Sequence, residues 1–234
     1  MRKITLKESD LVLILTGAGI SAESGIRTFR DSDGLWENHR IEDVATPEGF
    51  QKNPSLVWKF YKERYTHALE VNPNPGHYAL AELEKRMPNR FLLVTQNVDG
   101  LHSRAGSKQV IEMHGTLHTC FCTRCKQKQK MNNIDLSQDI PICSACGKAL
   151  RPDIVWFGEM PYRMDEIYHG LDKATVFITI GTSGNVYPAA YFITQAQRRG
   201  VRTIGINKDK PENIEYIDEF YQGKAGEILP ELFS

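Results

Sequence analysis

No stretch of this 234-residue chain approaches the roughly 20 apolar residues needed to cross a bilayer. The basic N-terminus, MRKITLKESD, lacks the apolar core of a secretory signal. An excess of charge is missing as well, because 29 Lys and Arg balance 29 Asp and Glu. That balance removes the electrostatic case for nucleic acid or an anionic membrane surface as a partner. Cysteine is confined to one segment, with all five residues between Cys120 and Cys146. Such clustering argues against a disulfide framework and for a local metal site. Internal repeats, low-complexity tracts and long linkers are absent. What is present is ordinary for a globular chain, 41% hydrophobic and 25% charged, and long enough for a large core plus a small module. A cytoplasmic, monomeric protein without a membrane segment is the expectation.

The stretch around which the chain is organised is Leu11–Arg30, LVLILTGAGISAESGIRTFR. The apolar run Leu11–Leu15 reads as a buried strand that stops at Thr16. Gly17-Ala18-Gly19 forms a turn, and Ser21, Ala22 and Glu23 read as the first turn of a helix. Unpaired amides and the helix dipole at such a terminus suit a phosphate. Gly17-x-Gly19-x-x-Ala22 fits the dinucleotide fingerprint, although a tight strand–helix turn that binds nothing remains open.

The next stretch departs from an ordinary dinucleotide-binding half. A second strand carrying an acidic residue about 20 positions past the glycines is expected there. Glu37 and Glu42 lie near that distance, but GLWENHRIEDV is not a strand. Instead, Thr46-Pro47-Glu48 reads as a helix start, Pro54–Glu70 as an amphipathic helix with Leu56, Val57, Phe60, Tyr61 and Arg64 near one face, and Pro73–Met87 as a further helix. A helical insertion therefore interrupts a Rossmann-like pattern, which lowers the case for a dehydrogenase.

Buried strands resume at Arg90–Gln96, Val110–Met113, Arg151–Gly158, Thr175–Ile180 and Val201–Ile206, with a helix over Met164–Lys173. Gln96-Asn97-Val98-Asp99-Gly100 sits at a strand end, where open α/β sheets bind ligands, though a turn bonded to its own backbone would have the same composition. His114 stands at another strand end beside Gly115. Gly181-Thr182-Ser183-Gly184 precedes a helix from about Val186 to Arg199 and repeats the strand–turn–helix arrangement. Asn207, Lys208 and Asp209, at the end of the last strand, can take the ribose role that the first half lacks. Ile228–Phe233 reads as a C-terminal helix.

Cys122-x2-Cys125 and Cys143-x2-Cys146, with 17 residues between the pairs, match the spacing of a tetrahedral zinc site. Four thiolates close the coordination sphere, so the zinc is structural. The polar segment between the pairs leaves its folding energy to the metal. Cys120 is the odd residue, a substitute ligand or a spare thiol.

Taken together, Gly17-Ala18-Gly19-Ile20-Ser21, Gly25-Ile26, Phe29-Arg30, Gln96-Asn97-Val98-Asp99, His114-Gly115, the two Cys pairs, Val155-Trp156-Phe157-Gly158-Glu159 and Gly181-Thr182-Ser183 resemble a sirtuin over nearly the whole chain, closest to the bacterial CobB-type, class III sirtuins. Arg27-Thr28 stands where many sirtuins have Pro-Asp, as it does in CobB-type proteins. The resemblance implies an α/β protein. A Rossmann-like parallel-sheet domain (1–36, 88–118 and 151–234) would carry a smaller domain made of a helical insertion (37–87) and a four-cysteine zinc-ribbon module (119–150).

It further implies NAD-dependent deacylation of protein lysines, with release of nicotinamide and O-acyl-ADP-ribose. His114 would be the general base, and Asn97 would order the ribose and carboxamide. The cofactor set would comprise Gly17, Ala18, Gly19, Ile20, Ser21, Phe29, Arg30, Trp36, Gln96, Asn97, Val98, Asp99, Gly181, Thr182, Ser183, Asn207, Lys208, Asp209 and Ala225. Substrate contacts would come from Val155, Phe157, Gly158 and Glu159, which pair with the peptide backbone as an added strand. Tyr61 and Arg64 resemble the Tyr-x-x-Arg pair that binds an acyl-chain carboxylate, with Ala45 widening the pocket. A guanidinium and a phenol suit that carboxylate chemically. Acetyl- and succinyl-lysine are the expected substrates. The alternatives are a protein ADP-ribosyltransferase using the same NAD site, and a zinc-ribbon nucleic-acid module that senses NAD. The local basic run Arg124, Lys126, Lys128 and Lys130 is the only support for the second.

Overall fold

The computed structural model describes residues 3–27 and 39–233, with the backbone alone at 35–36. Phe29 and Arg30 lie outside the described residues, as does the side chain of Trp36. The chain runs as β1 (Val12–Thr16), β2 (Leu35–Trp36), β3 (His39–Arg40), α1 (Ile41–Val44), α2 (Pro47–Lys52), α3 (Pro54–Glu70), α4 (Pro75–Arg86), β4 (Phe91–Thr95), α5 (Leu101–Arg104), β5 (Val110–Glu112), β6 (Gly115–Cys122), β7 (Lys128–Lys130), β8 (Leu150–Ile154), α6 (Met164–Lys173), β9 (Val176–Ile180), α7 (Ala189–Arg198), β10 (Arg202–Asn207), β11 (Glu219–Gln222) and α8 (Ala225–Leu232). Short 3-10 turns interrupt these elements.

Six strands form one parallel sheet in the order β11-β10-β9-β1-β4-β5. Alternate residues of β1 serve opposite layers, as the pleat requires. Val12 and Ile14 join Leu80, Leu83, Ile228, Leu229 and Leu232 from α4 and α8. Leu13 and Leu15 join Ile167, Leu171, Phe192 and Ile193 from α6 and α7. Helices on both faces explain why the central strands read as unbroken apolar runs.

The segment between β1 and β4 contains the short β2–β3 pair and helices α1 to α4, of which α4 packs on the parallel sheet. Three of its helices begin with Pro in the first turn, where a missing N–H costs nothing, and each is capped by the residue before. Thr46 accepts from Gly49 N–H at 3.0 Å, Asn53 from Leu56 N–H at 3.1 Å and Asn74 from Gly76 N–H at 3.0 Å. α1 and α3 share a core with a second, antiparallel sheet, β7-β6-β8, through Val44, Phe60, Tyr61, Leu117, Cys120, Leu150 and Trp156. Trp58 Nε1–H closes that interface on the Leu150 carbonyl at 2.9 Å. The strand read over Arg151–Gly158 thus belongs to this small sheet, paired with β6, and ends at Ile154. β6 and β11 are strands that the residue pattern did not reveal.

Candidate active site

The strand order reverses between β1 and β9. The chain leaves β1 toward β4 and β5 on one side and later returns through β9 on the other. The turns after these two strands meet at the carboxyl ends, and the crevice outside such a switch point is where open α/β sheets take ligands. Glycine is required there by close backbone contact. A Cβ on Gly19 would lie 2.7 Å from Gly181 Cα, and one on Gly17 would lie 2.8 Å from the Gly181 carbonyl. Gly19 N–H donates to that carbonyl at 2.8 Å, and Gly181 itself has a φ of +63°.

The turn is built differently from the expected helix terminus. Ala18–Ile20 and Ala22–Ser24 are two 3-10 turns, and Gly25, at a φ of +96°, ends the second. The cause is Asn74, whose Nδ2 donates to the Ile20 carbonyl at 2.7 Å and to Ser24 Oγ at 3.0 Å, while Ser24 N–H returns to Ser21 O. That carbonyl is thereby taken by a side chain instead of the next helical turn. After β9 the helix also starts late, at Ala189, because Gly181 and Gly184 both hold left-handed backbone.

A buried polar network lies behind the first turn. Ser21 Oγ–H donates to Asp99 Oδ2 at 2.7 Å, and Asn97 Nδ2 donates to Ser21 Oγ at 3.1 Å and to the Gly17 carbonyl at 3.2 Å. Asn74 N–H donates to His77 Nδ1 at 3.3 Å, so the proton of His77 sits on Nε2, 3.4 Å from Ser21 Oγ. Thr16 donates to Thr95 at 2.8 Å, and His102 Nε2 lies 2.9 Å from Thr16 Oγ1. Burial pushes His77 down to about 4 and His102 well below its ordinary value, so both rings are neutral near pH 7. Burial raises the Asp99 carboxyl, opposed by the Leu101 N–H and Ser21 bonds. Sequence reasoning missed Asn74, His77 and His102. A signal existed in the Asn-Pro-Gly-His start of α4, where Asn74 and His77 form a capping box.

His114 follows β5, with Nδ1 3.1 Å from the Gln96 carbonyl. A carbonyl only accepts, so Nδ1 carries the proton and Nε2 keeps its lone pair. Burial lowers the pKa of the ring, and the Gln96 bond partly opposes it. On the same strand, burial and the charge of Asp99 raise Glu112 to about 7. Gln96 Nε2 bridges to Thr182 Oγ1 at 3.2 Å, which ties the two sides of the crevice together. Asn207 Nδ2 donates to the Thr182 carbonyl at 3.0 Å, and Ser183 O accepts from Glu212 N–H. Lys208 and Asp209 are exposed beyond it, while Ile20 and Ala225 are buried, Ala225 at the start of α8. The backbone of Val98 accepts from Leu117 N–H and links the crevice to β6.

Val155–Glu159 lies between His114 and the insertion. Val155 N–H donates to the His114 carbonyl at 2.9 Å and Phe157 N–H to the Ala45 carbonyl at 3.0 Å. Phe157 is half-exposed, and Gly158 turns at a φ of +89°. Both Glu159 oxygens are occupied, one by Arg151 Nη1 at 2.8 Å, the other by Arg151 Nη2 and Trp156 N–H at 2.9 Å each. Tyr61 is fully buried, its hydroxyl 2.9 Å from Trp156 Nε1. Arg64 stacks on Phe60, with 3.2 Å from Cζ to the ring centroid, and its Nη1 donates to the Phe60 carbonyl.

The four thiols of Cys122, Cys125, Cys143 and Cys146 come within 4.8 Å of one another. Cys122 and Cys146 Sγ are 3.4 Å apart, and Cys125 and Cys143 Sγ 3.8 Å, close to the about 3.8 Å edge of a tetrahedral zinc–thiolate site. Arg124 and Cys125 N–H groups point at Cys122 Sγ, as outer-shell donors to a thiolate do. The donor set therefore fits zinc. Cys120 lies outside it, with Sγ directed at the Gln129 carbonyl.

The Sir2 family model matches residues 17–188. The chain is 55% identical over 223 residues to an NAD-dependent protein deacylase of Bdellovibrio bacteriovorus, covering 94% of this chain and 93% of the relative. It is 50% identical over 226 residues to the NAD-dependent protein deacylase of Escherichia coli strain K12, covering 96% of this chain and 81% of the relative. Among solved structures, a Sir2 homologue in complex with NAD superposes with a TM-score of 0.88 at 40% identity, over all of this chain and 94% of that one. A glycine-built turn at the switch point, a histidine at its edge, a four-thiol cluster and these likenesses lead to one conclusion: the chain belongs to the Sir2 family.

Proposed function

We propose that this protein is an NAD-dependent deacylase acting on acylated lysine side chains of proteins. The observation that carries the reading is His114, held as the Nδ1–H tautomer by Gln96 beside the crevice between β1 and β9. Gly17, Gly19 and Gly181 let the two turns beside that crevice pack backbone to backbone, while Gln96, Asn97, Asp99, Thr182 and Asn207 supply donors and acceptors around it. Such a set suits the phosphates, riboses and carboxamide of a dinucleotide. NAD, when bound, supplies a ribose carbon made electrophilic by departure of nicotinamide.

The remaining work falls to residues of this chain. His114 Nε2 accepts a proton, and its lowered pKa keeps it unprotonated at neutral pH. Ser21, Asn97 and Asp99 hold one another, so the amide and carboxylate face their ligand already oriented. Val155–Gly158 offers an edge for an extended peptide. Tyr61 and Arg64, beside Ala45, are the receptor for a carboxylate at the end of the acyl chain, so succinyl-lysine is a substrate alongside acetyl-lysine. The four cysteines hold zinc as a structural ion. The protein acts as a cytoplasmic monomer on acylated proteins and not on nucleic acid. Among the described residues no helix is long and apolar enough to cross a membrane.

Nicotinamide release measured with and without an acylated lysine peptide tests this reading. Release is expected only with the acyl peptide. Equal release without it would favour the ADP-ribosyltransferase reading.

A further inference from the structure

Strand β6 breaks its pairing with β8 partway along. Gly115 pairs with Ile154 and Cys120 with Pro152, and the register shifts between them. A strand that slips register re-aims the side chains it carries. Here the freed stretch turns to the polar cluster that follows β4. Leu117 N–H donates to the Val98 carbonyl at 2.9 Å. One residue on, His118 Nε2 lies 3.1 Å from the Asp99 carbonyl oxygen. A carbonyl only accepts, so Nε2 carries a proton and donates it.

The ring is held on two further sides. It lies against the backbone of Gly100, where a Cβ would come within 2.5 Å of Nε2 and 2.8 Å of Cδ2. Tyr65 of α3 meets it at 5.7 Å between centroids and at an angle of 76°. The Asp99 carboxyl is fixed separately: Oδ1 accepts from Leu101 N–H at 2.9 Å and Oδ2 from Ser21 Oγ–H at 2.7 Å. All three oxygens of Asp99 thus accept a hydrogen bond, and the donor at the backbone oxygen comes from β6, a strand of the other sheet.

We propose that His118 is a positioning residue for the cofactor: by holding the Asp99 carbonyl it keeps the Asp99–Gly100 turn, and with it the Asp99 carboxyl, in the orientation that meets NAD. The proposal rests on the reading that the crevice binds NAD. The carbonyl belongs to the peptide joining Asp99 to Gly100, so rotation of that peptide moves Leu101 N–H off Oδ1. Gly100, at a φ of +72° and without a Cβ, permits such a rotation at little cost. The His118 N–H opposes it. Asp99 is only 4% exposed, so a donor lost there is not readily replaced by water. The acylated peptide is assigned to Val155–Gly158, and its affinity is independent of this bond.

His118→Leu removes the donor and keeps an apolar side chain, whereas His118→Gln retains an N–H near the place of Nε2. In the zinc-loaded full chain, calorimetric titration with NAD should give a Kd about five- to tenfold higher for His118→Leu, and within about twofold of the unaltered protein for His118→Gln. KM for an acetyl-lysine peptide at saturating NAD should stay within about twofold in both variants. Hydrogen exchange supplies a readout that needs no cofactor. The Leu101 amide should exchange about tenfold faster in His118→Leu and at the unaltered rate in His118→Gln. Equal NAD affinity in the two variants, or a rise in peptide KM as large as that in the Kd for NAD, would overturn the proposal. The two readings fail separately. Absence of NAD binding by the unaltered protein ends the proposed function, whereas a Leu101 amide that exchanges equally in all three proteins ends the role of His118. Should His118→Leu not fold, His118→Asn, too short to reach the Asp99 carbonyl, takes its place with the same outcomes.

Discussion

β1 and β9 are buried along all five residues, and their side chains feed two aliphatic layers at once. β7, by contrast, is the tripeptide Lys-Gln-Lys with both lysines exposed, and 132–139 contains no fully buried residue. The parallel sheet is stabilised by burial, at about 1.5–3 kcal/mol for each fully buried large aliphatic side chain. The small sheet shares one apolar wall with α1 and α3, and its outer turns carry the four thiols. Chemistry follows the same division. The crevice depends on backbone approach between glycines, which the sheet order brings together, whereas the Val155–Glu159 segment depends on side-chain clamps from Arg151 and Glu159.

The largest expected effect falls on the weaker half. Zinc chelation should unfold the region around Cys122–Cys146 and abolish deacylation, with circular dichroism showing partial loss of structure; structural zinc sites contribute on the order of 10 kcal/mol. An intact fold with lost chemistry would instead make the ion catalytic and dissolve the contrast. Next is the crevice itself. His114→Ala should lower kcat/KM by about two to four decades with the melting temperature nearly retained, because the role proposed for the side chain is that of a general base. Unaltered activity would remove it from that role.

Arg64→Met should reduce desuccinylation by about one to two decades more than deacetylation, read as the ratio of kcat/KM values. The smallest effect is one of pH. Burial lowers His114 below its ordinary value, and the ring accepts a proton only when neutral. Activity should therefore stay level from about pH 8 down through the ordinary histidine range of about 6.5 and decline only at more acid pH. A decline centred above about 6.5 would mean that another group limits the rate.

Much of the architecture was legible in residue patterns. α3 and α6 have the bounds that apolar spacing and Pro starts suggested, and the Cys pairs converge as their spacing required. These features rest on local periodicity or on short-range ligand geometry. β6 was not legible, because its eight residues include Thr, His and Cys and half of it faces α3. Its pairing with β8, twenty-eight positions on, depends on Gly115, where a Cβ would collide with the Asp153 carbonyl at 2.0 Å. The helix expected after Gly19 failed for a similar reason: Asn74, far along the chain, takes the Ile20 carbonyl.

By itself the sequence determined most of the strand and helix inventory, the metal ligands and the polar residues at strand ends, because periodicity, caps and ligand spacing act over a few positions. The tertiary structure alone decided that the Gly17 and Gly181 turns would meet, that His77 and His102 would stand neutral behind Ser21 and Thr16, and that Trp156 would donate to Tyr61. Those contacts join residues 56 to 164 positions apart, and only the order of the strands and the burial it creates can set their distance and their protonation.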